Sequence, residues 1–167
     1  HGGMAMHAAS GTASTCIRSN LGFSATHSGS LYLYVPGTQD THSKFISFGN
    51  IANSTVVGNI RYRSNNKIAI TDAATTDVAT STTTIPFTQW VRIDWLVDNS
   101  DPTAPIITVR IYLSAEADTA SYDEELTWTL TGTTNALERN NYGIVGTAAV
   151  TTRDLYLDTI RVHSGLS

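Results

Sequence analysis

The chain has 167 residues, a formal net charge of −4 and a charged share of only 14%, against roughly 25% in an average soluble protein. An apolar share of 41% excludes wholesale disorder, and 26 Thr with 16 Ser favour pleated, half-wet strands over a helical bundle. No basic block grips a phosphate backbone and no apolar run nears the ~20 residues of a membrane helix, so neither nucleic acid nor membrane is an expected partner.

In chain order, HGGMAMHAAS lacks the basic-then-apolar build of a signal peptide, and the chain reads as a mature form or an excised domain. The lone cysteine, Cys16, sits in the alternating stretch TASTCIRS and reads as a small buried hydrophobe. LYLYV (31–35) sets Leu31, Leu33 and Val35 against Tyr32 and Tyr34; a Pro-Gly turn and KFISF (44–48) follow. VVGNIRYRS (56–64) sets Ile60 and Tyr62 against Arg61 and Arg63, and Asn65-Asn66 supplies a hairpin turn into KIAIT (67–71). The Thr-rich run 71–86 holds a possible strand near Val78 to Ser81.

QWVRIDWLVD (89–98) carries the strongest period of two: Val91, Ile93, Trp95 and Val97 on one face, Trp90, Arg92, Asp94 and Leu96 on the other. After NSDPTAP, IITVRIYLS (106–114) sets Ile107, Val109, Ile111 and Leu113 against Thr108, Arg110 and Tyr112, as an antiparallel neighbour. SAEADTASYDEEL (114–126) and TNALERN (134–140) have weak helical spacing and read as loops or single turns. NYGIVGTAAV (141–150) and LYLDTIRVHS (155–164) close the chain as strands. Ten to twelve short strands with no internal boundary predict one all-β domain over 1–167, a two-sheet antiparallel β-sandwich.

The order of WVRIDWLVD, ITVRIYLS, YGIVGTAAV and LYLDTIRV resembles the concanavalin A-like lectin/glucanase superfamily, the LamG-like jelly rolls. HGGMAMHA is similar to their first strand, which pairs near the last. Similar stretches occur in virion proteins of tailed phages. The resemblance implies two stacked sheets whose concave face binds glycans or, in enzymes, holds carboxylates. It also implies an extracellular or virion location, with a surface glycan or cell-envelope polysaccharide as partner, or copies of the chain and other virion proteins.

Glycoside hydrolysis needs two carboxylates flanking one bond, and the Glu-x-Asp-x-x-Glu strand of the laminarinase-like branch is absent. Glu116, Glu124, Glu125 and Glu138 fall in predicted loops, leaving Asp94 and Asp98 as the nearest strand acids. A lyase would need a Tyr or His base with Arg and Gln to neutralise a uronate, and no linear motif marks one. A non-catalytic carbohydrate-binding or adhesion module is therefore expected, with a structural virion or filament subunit that self-assembles through the sandwich as the alternative, and a polysaccharide hydrolase or lyase below it. No histidine pair has zinc spacing, and no cofactor is implied. The oxygens of Asp98, Asn99 and Asp101 suit calcium, but an Asx-type turn between two strands uses the same residues and is the favoured reading. Asp158 shares its predicted face with Tyr156, Ile160 and Val162 and needs a polar partner there, as a structural anchor. The polar alternation partners Tyr32, Tyr34, Arg61, Arg63, Arg92, Asp94, Arg110 and Tyr112 are the candidate ligand-binding residues, since sugars take planar hydrogen-bonding groups and stack on aromatic rings.

Overall fold

The structure is a computed structural model; it describes residues 6–8, 15–20, 26–39, 42–50, 56–114, 121–130, 137, 139–144 and 155–164. Its elements are β1 (Met6–Ala8), β2 (Thr15–Asn20), β3 (Thr26–Tyr34), β4 (Ser43–Gly49), β5 (Val56–Tyr62), β6 (Ile68–Asp72), β7 (Asp77–Thr80), β8 (Trp90–Asp98), β9 (Ile106–Tyr112), β10 (Glu124–Thr129), β11 (Arg139–Ile144) and β12 (Leu155–Ser164). No helix occurs among the described residues.

Two antiparallel six-stranded sheets form. Sheet A runs β1-β12-β3-β8-β9-β10 and sheet B runs β2-β11-β4-β5-β6-β7. The period of two decides what lies between them, because successive side chains on a strand point to opposite faces. From sheet A come Leu31, Leu33, Val91, Ile93, Val97, Ile107, Val109 and Ile111; from sheet B come Ile46, Phe48, Ile60, Ile68 and Ile70, all fully buried. Trp95 and Tyr142 meet across the gap with ring centroids 5.5 Å apart. Gly29 is required opposite Trp95: a Cβ there would run into the indole and the Arg161 carbonyl.

The predicted antiparallel pairing of β8 and β9 is present in register, Ile93 against Ile111 and Trp95 against Val109. Met6 to Ala8 pair with β12, as the resemblance implies. The hairpin between β5 and β6 turns on Asn66, whose φ of 62° suits asparagine better than a branched residue. β7 supplies the strand expected near Val78.

Three expectations are corrected. Glu124 and Glu125 lie on a strand, β10, and not in a loop, because Leu126 and Trp128 alternate against β9 at the sheet edge. The late strand predicted over 141–150 is β11 and begins earlier, at Arg139; residues 145–150 lie outside the described residues. β12 does not keep one alternation. A bulge between Asp158 and Arg161, with Thr159 at φ 50°, shifts the register, so Val162 pairs with Gly29 while Asp158 pairs with Tyr32 on the opposite face.

Candidate functional site

The eight candidate residues divide between two faces that point away from each other. Tyr32, Tyr34, Arg92, Asp94, Arg110 and Tyr112 lie on the outer face of sheet A; Arg61 and Arg63 lie on the outer face of sheet B.

On sheet A the register builds rows. Tyr156, Tyr34 and Trp90 stand side by side, with ring centroids 5.7 Å and 5.3 Å apart. The next row is Asp158, Tyr32, Arg92 and Tyr112. The Arg92 guanidinium lies 3.7 Å from the Tyr112 ring centroid and 3.1 Å from the Asp94 carboxylate. Tyr112, expected exposed, is only 6% exposed because that cation covers it. Burial pushes the Asp94 carboxyl up, and Arg92, Tyr112 and Arg110 only partly offset it. The third row joins Ser30, Asp94, Arg110 and Glu125; Arg110 Nε donates to Glu125 at 2.7 Å, which raises the Arg110 pKa. Beyond it opens a depression of about 330 Å³, lined by Ser28, Ser30, Asp94, Leu96, Thr108 and His163 among others.

On sheet B the register places Asn141, Ser47, Asn59 and Thr71 side by side on four strands. Ser47 Oγ donates to Asn59 Oδ1 at 2.6 Å and Asn59 Nδ2 donates to Thr71 Oγ1 at 3.1 Å. These side chains are buried although they face away from the apolar core, which is tolerable because they satisfy one another. At the end of this ladder stands a basic cluster. Lys44 pairs in register with Arg61. Arg61 Nη2 lies 2.6 Å from one oxygen of Asp77, and Arg63 Nε lies 3.3 Å from the other. His42 Nδ1 accepts a hydrogen bond from the Ser64 N–H at 3.2 Å, so its proton, when the ring is neutral, sits on Nε2. Burial and the nearby Arg61 hold Lys44 below the ordinary lysine range. Burial, Arg61 and Arg63 lower His42, with Asp77 working the other way. Burial is the larger cause of both shifts and the arginines add to it, as expected where, among the described residues, cations outnumber acids.

Register therefore separates the charges. The outer face of sheet A sets Arg92, Arg110 and Arg161 against Asp94, Asp98, Glu125 and Asp158. Among the described residues, that of sheet B sets Lys44, Arg61, Arg63 and Arg139 against Asp77. Lys44, Asp77 and the Ser47–Asn59–Thr71 ladder escape sequence reading. Their one signal is a polar residue at every second position of otherwise apolar strands, and it becomes visible only when the strands are set in register.

The remaining candidates take local roles. Asp98 accepts from the Ser100 N–H at 2.8 Å, and Asp101 accepts from the Thr103 N–H at 2.9 Å and its hydroxyl at 2.6 Å. Asn99 exchanges two 3.0 Å hydrogen bonds with the Leu137 backbone. The loop thus uses as Asx turns the oxygens that calcium would need. Among the described residues no group of three or more His, Cys, Asp or Glu is placed to hold a metal ion. Asp158 finds its partner in the Thr159 N–H at 2.6 Å. The side chain of Cys16, together with Glu116 and Glu138, lies outside the described residues.

No protein-family model and no curated protein matches the chain. Its fold is a jelly-roll β-sandwich, and the solved structures similar to it include glycan-active enzymes. One is an endo-β-1,4-glucuronan lyase from the fungus Trichoderma reesei (TM-score 0.63, 12% identity, covering 96% of this chain and 81% of that one). Another is the PL-14 alginate lyase from Aplysia kurodai (TM-score 0.58, 10% identity, covering 85% and 70%). A third is a GH43 glycoside hydrolase (TM-score 0.60, 15% identity, covering 84% of this chain and 29% of that one).

These likenesses correct the expectation of a non-catalytic module. That expectation rested on a missing carboxylate pair, and the pair is a requirement of glycoside hydrolysis. Elimination from a uronate asks instead for a neutralised substrate carboxylate and a proton-transfer group. The missing pair removes one reaction, not catalysis, and the folds that match include lyases.

Proposed function

We propose that this chain is a polysaccharide-active domain that binds an acidic, uronate-bearing glycan at the basic edge of sheet B and cleaves it by elimination. The observation that carries the reading is that Arg61 and Arg63 share a single carboxylate, Asp77, with Lys44 beside Arg61, in a protein whose net charge is negative. Arginine forks suit carboxylates, because their planar donors match both carboxylate oxygens. A uronate carboxylate held there loses its charge repulsion toward a carbanion at the neighbouring carbon, so the proton on that carbon becomes more acidic. That proton passes to solvent, and solvent protonates the leaving glycosidic oxygen. His42, neutral and with Nδ1 taken by the Ser64 N–H, donates a hydrogen bond from Nε2–H to that oxygen without giving up its proton. The glucuronan and alginate lyases that share the fold act on polyuronates, which supports the same substrate class. A virion tail or another extracellular appendage meeting a cell-envelope polysaccharide is the setting this reading implies.

The test is to mix the purified chain with glucuronan and with alginate, and to follow binding by calorimetry and new unsaturated ends by ultraviolet absorbance. Binding that weakens with added salt, with unsaturated products, is expected for at least one of them. The Arg61→Ala/Arg63→Ala double variant should lose at least tenfold in affinity, the equivalent of about 1.4 kcal/mol. No binding of either polyuronate at low ionic strength would overturn the reading.

A further inference from the structure

We propose that the outer face of sheet A is a second glycan site, which takes an uncharged polysaccharide lying along β3 and β8. Three observations converge there. At one end stands the row Tyr156, Tyr34, Trp90, half-buried rings fixed by one another at 5.7 Å and 5.3 Å. Rings held this way lose little freedom on binding and offer faces to the C–H surfaces of sugars.

At the other end lies the depression of about 330 Å³, at the low end of the roughly 300–1,000 Å³ of small-molecule sites. Its wall carries the hydroxyls of Ser28, Ser30 and Thr108, the Asp94 carboxylate, the Glu125-paired Arg110, His163 and the apolar side chain of Leu96. That mixture fits a sugar ring: hydroxyls and one carboxylate for its hydroxyl groups, a short apolar patch for its carbons. From Tyr34 to Ser30 and Ser28 the strand advances roughly 13 to 20 Å at 3.3 Å per residue. The two ends are thus spaced for a chain of several sugars and not for one.

The third observation is charge. Arg92 sits on Asp94 at 3.1 Å and Arg110 on Glu125 at 2.7 Å, and this face carries at least as many acids as bases. Among the described residues it shows no excess of cations to attract a polyanion. The paired arginines keep donor edges fixed in place, which serves neutral hydroxyls. The occupant is therefore an uncharged glycan, and the site stands apart from the basic edge of sheet B.

The experiment titrates the intact chain with a panel of soluble uncharged polysaccharides, a β-glucan, a mannan and a xylan, while the Trp90 indole N–H is followed by NMR. At least one should bind, with affinity nearly independent of salt and with a shift of the Trp90 signal. Trp90→Ala and Asp94→Asn should each weaken it about tenfold, and Arg61→Ala/Arg63→Ala should not. If Trp90→Ala fails to fold, the indole shift in the unaltered chain decides. Absence of binding across the panel, binding that leaves Trp90 unmoved, or binding lost in the Arg61/Arg63 variant would overturn the proposal. The polyuronate assay, read separately, is untouched by any of these results.

Discussion

The two outer faces of this sandwich are built from the same alternation and yet differ in kind. On sheet A, the residues opposite the core are aromatic rings and arginines already paired with acids, half-buried and spread over four strands. On sheet B, the equivalent positions hold a ladder of uncharged side chains that bond one another, bordered by cations that, among the described residues, outnumber the acids. The first arrangement suits a neutral chain lying over rings and hydroxyls; the second suits a polyanion. A period of two assigns residues to a face but leaves charge balance undetermined, because balance depends on which strands become neighbours.

The comparison can be broken most forcefully at the junction between the faces. His27 on β3 is fully buried in the core, at the junction of sheet A and sheet B, with Asn140 on β11 as its polar neighbour. Burial lowers its pKa from 6.5 to about 4, and the nearby Asn140 side chain offsets this only in part. The unfolded chain therefore takes up a proton that the folded chain refuses. Stability is full above pH 6.5 and falls as pH drops toward 4, by about 3 kcal/mol at about 1.4 kcal/mol per pH unit. Urea unfolding at a series of pH values should show that loss, and His27→Leu should flatten it. If the unaltered chain and the variant share one pH profile, the histidine does not carry the acid loss. Both faces should fail together as His27 is protonated, whereas surface variants should separate them.

A smaller effect sharpens the difference. Asp77 holds Arg61 and Arg63 with the same oxygens a uronate would offer. Asp77→Asn should tighten polyuronate binding severalfold and steepen its dependence on salt, while leaving uncharged glycans alone. Calorimetry at two ionic strengths reads both; weaker binding in the variant would show that Asp77 orders the arginines more than it competes for them. The smallest effect belongs to the Arg110–Glu125 pair, whose side chains are 48% and 32% exposed. Glu125→Ala should change stability by less than about 1 kcal/mol, a value thermal unfolding can bound.

Much of the fold was legible in the sequence. The alternation in LYLYV, WVRIDWLVD and ITVRIYLS placed the core side of β3, β8 and β9 correctly, since each strand has one apolar face and a two-residue period cannot be satisfied otherwise. β10 escaped because EELTWT sits at a sheet edge, where Thr127 and Thr129 stay exposed and only Leu126 is buried. The bulge at Thr159 escaped because a left-handed threonine has no sequence signature, and one extra residue is enough to exchange the faces of Asp158 and Val162. The candidate residues were legible one by one, but their grouping was not. Arg61 and Arg92 look alike in their strands, and only pairing shows that one belongs with Asp77 and the other with Tyr112.

The most direct measurement of the central claim is a competition. The intact chain is loaded with glucuronan or alginate to saturation and then titrated with the uncharged polysaccharide that it binds. The account predicts unchanged affinity for the second glycan, with Arg61→Ala/Arg63→Ala removing only the first and Trp90→Ala only the second. Displacement of one glycan by the other, or loss of both in either variant, would contradict it and reduce the two faces to one site.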